Sequence, residues 1–214
     1  MAAEGMARMA FNEIMAGGQG GFLGGRFLVA MPGIDDERFT RAVVFVAAHS
    51  DEGAIGFVVN RSAGLTIRDM FERVGLEDDV PPGARAARRT PSVSPDETVM
   101  RGGPMEPGRG FVIHSPDYGS ASTVALGGSL ALTSTLDVLK AIARGRGPSR
   151  ALLALGYAGW GEGQLEDELR ENVWLTAEAT EIVIFDVPPA NRYDAVLSSM
   201  GVRPEALSGI AGNA

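Results

Sequence analysis

Apolar residues in this chain gather in short solid runs rather than long helical stripes. Arg26–Met31 is one run, stopped by Pro32-Gly33, and Ala42–Ala48, rich in Val and Phe, is a second. Runs of this length between turn formers read as strands. His49-Ser50-Asp51-Glu52-Gly53 has hairpin-turn composition, and Ala54–Asn60 returns as a third run, so these two neighbours are expected to pair antiparallel. Val99–Arg101, Gly110–His114, Ser122–Leu126, Arg150–Leu155 and Ile182–Phe185 extend the series. The segments between them, such as GGPMEPGR and SPDYGSA, are dense in turn residues.

Helical spacing is confined to a few stretches. Leu65, Ile67, Met70, Phe71 and Val74 share a face across Leu65–Val74, and Gly75 is placed as a stop. Ser134–Arg144 opens on a capping-box pair, Ser134 and Asp137, and Asn191–Met200 closes at Gly201 with Pro204 beyond. In Gly163–Asn172 the buried stripe is Leu165, Leu169 and Val173. Its first turns carry Gln164, Glu166, Asp167 and Glu168, whose carboxylates complement the positive end of the helix dipole and read as a solvated face; a catalytic carboxylate pair is the sharper alternative. Residues 76–97 have no period and read as a loop or lid. Residues 1–25 read as a flexible extension, with a short docking helix through Met6, Met9, Ala10, Ile14 and Met15 as the alternative. Residues 26–214 then form a single α+β domain with a mainly antiparallel sheet, because regular βαβ alternation is missing.

Composition narrows the function classes. The 214 residues carry 19 Lys and Arg against 27 Asp and Glu, a net charge of −8 without an acidic tail. DNA phosphates need a local surplus of cations, so direct nucleic-acid binding is not expected. No apolar run approaches the roughly 20 residues of a membrane span, and the N-terminus lacks the long apolar core of a signal peptide. The chain has no cysteine, which removes disulfides and thiolate chemistry and suits a reducing cytoplasm.

The most telling stretch is LGYAGWGEGQLEDELRENVWL, residues 155–175. Gly156, Gly159, Gly161 and Gly163 surround Tyr157 and Trp160, so the backbone needs unusual dihedrals or a close approach there. Both rings are placed on the turn leaving a buried strand, and Trp160 is expected to be buried with its indole N–H bonded. Free N–H groups at the following helix start, with the two rings, suit a small anionic ligand. Glu162, Glu166 and Asp167 oppose it there, and a scaffold capped by its own side chains is the alternative.

Other chemistry is sparse. His49 and His114, the only histidines, each precede a serine, and Asp117 follows close to His114. Adjacent strand residues point to opposite faces, which sets His-Ser pairs against a nucleophile–base contact. A cation held by the histidines with Asp51, Glu52 and Asp117 lacks any short-spaced ligand pair. Arg101-Gly102-Gly103-Pro104, followed by Arg109, is a glycine-rich turn able to expose N–H donors to an anion, or simply a tight turn. Arg85, Arg88 and Arg89 form the one basic loop cluster.

The pieces FLVAMPGIDDERFTRAVVFVAAH, GAIGFVVNR, RGGPMEPGRGFVIHS and GYAGWGEGQLEDELRENVWL occur in this order between Arg26 and about Phe185. Together they resemble the YqgE/AlgH family of bacterial proteins. The resemblance implies a partly closed or bifurcated β-sheet surrounded by helices, and no established biochemical activity. Some members carry the label of transcriptional regulator, through a genetic link to alginate production. The segment PPGARAARRTPSVSPDE and the N-terminal extension depart from the family pattern.

The expectation is a cytoplasmic, non-enzymatic protein that binds a small molecule or another protein and holds no cofactor or metal. Its expected pocket residues are Gly102, Gly103, Pro104, Arg109, His114, Tyr157, Trp160 and Gln164. The rivals are a hydrolase or metal-dependent enzyme centred on His114 and Asp117, and a regulator reaching nucleic acid indirectly or through the 85–89 arginine loop.

Overall fold

The computed structural model describes residues 11–15, 23–76, 93–126, 129–134, 136–203 and 207. Ten strands form one open, curled sheet: β1 (Arg26–Ala30), β2 (Val43–Ser50), β3 (Gly53–Val58), β4 (Ser62–Thr66), β5 (Thr98–Arg101), β6 (Met105–His114), β7 (Thr123–Ala125), β8 (Ala131–Thr133), β9 (Ala151–Trp160) and β10 (Trp174–Glu178). The main path is β10-β1-β2-β3-β9-β6-β8-β7. One edge of β9 is shared, with β3 antiparallel along Ala158–Trp160 and β5 parallel at Ala154 and Leu155. The sheet therefore forks at β9, and β4 extends the branch through β5. Helices α1 (Ile67–Arg73), α2 (Leu136–Ala143), α3 (Gln164–Arg170) and α4 (Arg192–Ser199) surround it.

Solid apolar runs arise because both faces of the central strands are covered. Phe27, Val29, Phe45, Phe57, Phe111 and Tyr157 enter one core with α4, while Leu28, Ala30, Val44, Val58, Ala158 and Trp160 enter another with Leu165 and Trp174. Farther along β6 and β9, Val112 and Leu153 meet α1 and α2 in a third cluster. Each fully buried phenylalanine among these contributes about 1.5–3 kcal/mol. Within the segment 1–25, residues 11–15 are helical, and Phe11, Ile14 and Met15 lie in the first core. Arg192 ties α4 to the sheet by donating to the carbonyls of Val59 and Val187, and burial pushes its guanidinium down to about 10.

A backbone crossing sets β5 and β6 on either side of β9. After β5 the chain passes over β9 at Gly102 and Gly103, whose N–H and C=O groups partly complete the ladder: Gly102 N donates to Leu155 O at 2.8 Å, and Val58 N to Gly102 O at 2.7 Å. A Cβ on either glycine would come closer than 3.0 Å to backbone atoms of Gly156 or Tyr157. Gly156 itself sits at φ +70°, where a side chain is strained. β6 is then bulged between Met105 and Gly110 before it rejoins β9.

Several sequence expectations need correction. Ile182–Phe185 is no strand; Ile182–Asp186 forms a π-helical turn burying Val183 and Ile184 while Ile182 is 64% exposed. Four apolar residues satisfy either period, so the pattern alone does not decide. Tyr157 and Trp160 lie within β9, which runs on to Trp160 because Gly56 and the crossing accept the close approach. The turn placed at Met105–Arg109 is the bulged start of β6. Leu65 belongs to β4, and Thr66 with Asp69 forms the capping box of α1. The loop or lid at 76–97 and Arg85, Arg88 and Arg89 fall mostly or wholly outside the described residues. No helix among the described residues is long and apolar enough to cross a membrane.

Gly103→Ala is expected to cost about 1–3 kcal/mol or more, because the backbone of Tyr157 has to move. Gly108→Ala, whose Cβ would meet nothing within 4 Å, is expected to stay within about 0.5 kcal/mol. Urea unfolding of the two variants beside the parent measures the contrast; equal costs would show that the crossing is not tight.

Candidate functional site

The crossing leaves Pro104 and Met105 facing Gly159 and Trp160, and a cleft opens between them and the loop after β1. Its volume is about 340 Å³, and its walls include Ile34, Asp36, Arg38, Phe39, Gln164, Glu168 and Trp174. The loop is tied locally by side-chain bonds. Asp36 caps the single 3-10 turn Glu37–Phe39 by accepting from Arg38 N at 3.0 Å, and Arg38 Nε and Nη2 grip the same carboxylate at 2.9 and 2.6 Å. The Arg38 hydrogen bond is the main reason the Asp36 carboxyl lies below its usual range. A smaller arm of about 120 Å³ adjoins, sharing Arg38, Phe39 and Pro104 and adding Val58, Arg61, Arg101 and Gly103.

One carboxylate organises the inner wall. Glu168 Oε2 accepts from Trp160 Nε1 at 2.8 Å and from Trp174 Nε1 at 2.7 Å, while Gln164 Nε2 donates to Oε1 at 2.9 Å. The indoles, 5% and 4% exposed, meet edge to face at 6.0 Å. Phe39 adds a second edge contact to Trp174 at 5.6 Å. Charge-assisted bonds to a single acceptor fix both rings without consuming the cleft's open side. Trp160 is thus buried and bonded, as its two-sided chemistry implies.

The same helix corrects the reading of its acids as a solvated face. Glu168 is the indole acceptor, and Glu166 Oε1 lies 2.8 Å from Nε2 of the buried His49. Asp167 pairs with Arg170 on the surface. At the helix start Gly163 provides no side-chain cap, and Gln164 Oε1 accepts from Gly161 N at 3.1 Å.

Of the expected pocket residues, the structure brings Gly103, Pro104, Trp160 and Gln164 together around the cleft and its arm. Gly102 packs behind them at the crossing. Arg109 lies elsewhere, its guanidinium over Phe11 and Phe111 at 4.7 and 4.8 Å. Tyr157 projects to the opposite face of β9, where burial and then Glu106 push its hydroxyl up to about 12. His114 is at the far end of β6. Its Nδ1 lies 2.8 Å from Ser115 O and its Nε2 2.9 Å from Thr133 Oγ1.

Ser115 Oγ donates to Asp117 Oδ1 at 2.5 Å and does not meet the imidazole. Ser115 therefore does not form the nucleophile–base pair with His114 that the His-Ser sequence suggested; the hydroxyl that meets the ring is that of Thr133. Burial tends to raise the Asp117 carboxyl, but hydrogen bonds from Ser115 and Ser149 outweigh it and leave it below its usual value. Asp36, Arg38, Arg61 and Trp174 were not singled out from sequence, whereas Arg101 was read only as part of a glycine-rich turn and Glu168 only as one of the helix acids. The second tryptophan was the available signal, because two indole N–H groups in one core need an acceptor.

A family model described as AlgH-like matches residues 27–205. A UPF0301 protein of Rhizobium meliloti is 46% identical over 206 residues, covering 96% of this chain and all of the relative. A UPF0301 protein of Mesorhizobium japonicum is 44% identical over 194 residues, or 91% and 94% of the two chains. The solution structure of the AlgH protein from Pseudomonas aeruginosa superposes with a TM-score of 0.70 at 39% identity, covering 92% of this chain and 98% of that one. Protein DIP2367 from Corynebacterium diphtheriae shares the fold at a TM-score of 0.65 and 19% identity, over 94% and 97% of the chains.

Two measurements test the site's architecture. Glu168→Ala leaves two buried indole N–H groups without their acceptor and is expected to cost about 2–4 kcal/mol, with a red shift of tryptophan emission; unchanged emission and stability would contradict the clasp. Burial also holds His114 below its usual value of 6.5. Above that value both folded and unfolded forms are neutral, so the stability is fully present; as pH falls below it the unfolded chain takes the proton first and stability is lost. Between about pH 7.5 and about pH 5.5 the parent should lose more stability than His114→Asn. Parallel slopes would contradict a buried neutral imidazole.

Proposed function

The chain belongs to the AlgH-like family, and we propose that it is a cytoplasmic, non-enzymatic protein that binds a small molecule in the cleft between Ile34–Phe39 and Trp160. The observation that carries this reading is the inner wall: two tryptophans locked by Glu168 face a cavity of about 340 Å³. A concave, mostly apolar space with a few fixed polar groups is the usual form of a small-molecule site. Asp36, Arg38, Gln164 and Glu168 supply those groups, and their mutual bonds organise the site before a ligand arrives. Preorganisation lowers the entropic cost of binding. The lack of cysteine is in keeping with a reducing compartment.

The AlgH-like relatives give the fold and leave the ligand to be found by experiment. Regulation would follow from the same cleft, since a bound molecule bridging Phe39 and Trp174 alters the surface that the 34–39 loop presents. Both tryptophans of the chain line the cleft, so intrinsic emission reports directly on occupancy. A metabolite library is screened by thermal shift and tryptophan emission together. The expected result is a compound that raises the melting temperature, changes the emission, and loses both effects in Ile34→Phe, which enlarges a half-buried wall residue. Stabilising compounds that leave the emission untouched, or bind Ile34→Phe equally well, would contradict the cleft as the site.

A further inference from the structure

We propose that the smaller arm of the cleft is an oxyanion subsite, in which Arg61 and Arg101 receive the phosphate or carboxylate group of the ligand; the proposal rests on the reading of the cleft as a small-molecule site. Backbone geometry sets the pair. Arg101 N donates to Arg61 O at 2.7 Å, which holds the two residues side by side where β5 leaves for the crossing. Both line the arm of about 120 Å³, with Arg38, already paired with Asp36, and with Phe39, Val58, Gly103 and Pro104 as the remaining walls.

No carboxylate among the described residues forms an ion pair with either arginine. Arg61 Nη2 donates to Thr40 O at 2.5 Å and to Glu37 O at 3.3 Å, so neutral carbonyls orient it without cancelling its charge. Other arginines do pair with acids: Arg41 with Asp194, Arg68 with Asp96, Arg109 with Glu106, and Arg150 with Glu181 and Asp186; Arg192, like Arg61, is held by backbone carbonyls. In a chain of net charge −8, Arg61 and Arg101 are two neighbouring cations without a carboxylate that line the same cavity. Burial, and next the like charge of Arg101, hold the Arg61 guanidinium below its usual value, with Asp36 opposing. An anion placed between them relieves that repulsion, and the guanidinium forks match two oxygens at once.

The two arms also differ in sign. No carboxylate lines the smaller arm, whereas Asp35, Asp36 and Glu168 line the larger one. An anionic group is therefore favoured at the arginines and repelled near the tryptophans. This orients the ligand: its oxyanion enters the Arg61–Arg101 arm, and an uncharged or hydrogen-bond-donating portion lies against Trp160, Trp174 and Glu168.

The test uses the full chain with inorganic phosphate and acetate as probes, each compared with chloride at matched ionic strength in thermal shift and titration calorimetry. Saturable stabilisation of the parent by one probe is expected, by at least about 2 °C at saturation. Affinity should fall about tenfold or more in Arg101→Gln. Preference for phosphate identifies a phosphate ester as the ligand class, and preference for acetate a carboxylate. Without added anion and at low salt, Arg101→Gln should melt at or above the parent temperature, because it removes repulsion and no ion pair. No saturable effect in the parent, equal binding by Arg101→Gln, or loss of stability in the anion-free variant would each overturn the subsite. Ile34→Phe separates the two levels. Phosphate or acetate binding should survive it, while library compounds that still bind the parent cleft after the subsite has failed would leave the small-molecule reading standing alone.

Discussion

The structure depends on one close approach of backbone to backbone, where Gly102 and Gly103 lie on Gly156 and Tyr157 with no space for a Cβ. β9 is the strand at which the sheet divides, and the crossing carries the chain from the β5 branch across to β6. Everything in the candidate site is arranged by that passage. Arg101 is the last residue before it, Gly103 and Pro104 are within it, and Met105 is set over Gly159 as it ends. A side chain at either glycine would lift the segment off β9 and separate the arginine arm from the tryptophan wall.

Electrostatics then divide the cleft into unlike ends. Glu168 is a half-buried acceptor for two indoles at the inner wall, and Asp36 is fully engaged by Arg38 at the rim. Their charge is locally compensated by donors, so the wall is polar yet rigid. The Arg61–Arg101 pair lacks such compensation and supplies the one strongly cationic surface of the cavity. An acidic protein thereby keeps a small anion-attracting point inside an otherwise acid-rimmed space, a contrast that favours orientation of a ligand as much as its affinity.

Much of the sheet was legible because strands covered on both faces leave uninterrupted apolar runs, as at Val43–Ser50 and Gly53–Val58. Strands without such runs were silent. β4 is SAGLT, β8 has three residues, and β10 is WLTAE, too short an apolar run beside α3 to be assigned an element of its own. Ile182–Phe185 satisfied a strand pattern and formed part of a helical turn, Ile182–Asp186. In the site, Gly103, Pro104, Trp160 and Gln164 were legible through glycine clustering and amphipathic rings. Glu168 was not, because an acid in the first turns of a helix is already explained by the dipole; only the fold brings Trp174 back beside Trp160. Arg61 and Arg101 lie 40 residues apart in sequence and become neighbours through the β4–β5 pairing, which no local pattern announces.

The most direct measurement follows the two indole N–H signals of the ¹⁵N-labelled chain by NMR while a stabilising ligand is titrated in. With Trp160 and Trp174 as the only tryptophans, the spectrum has one signal for each wall residue. The account predicts two slowly exchanging signals in the free protein, both displaced as the ligand saturates the cleft. Rapid solvent exchange of either indole in the free protein, or saturation by the ligand with both signals unmoved, would contradict it.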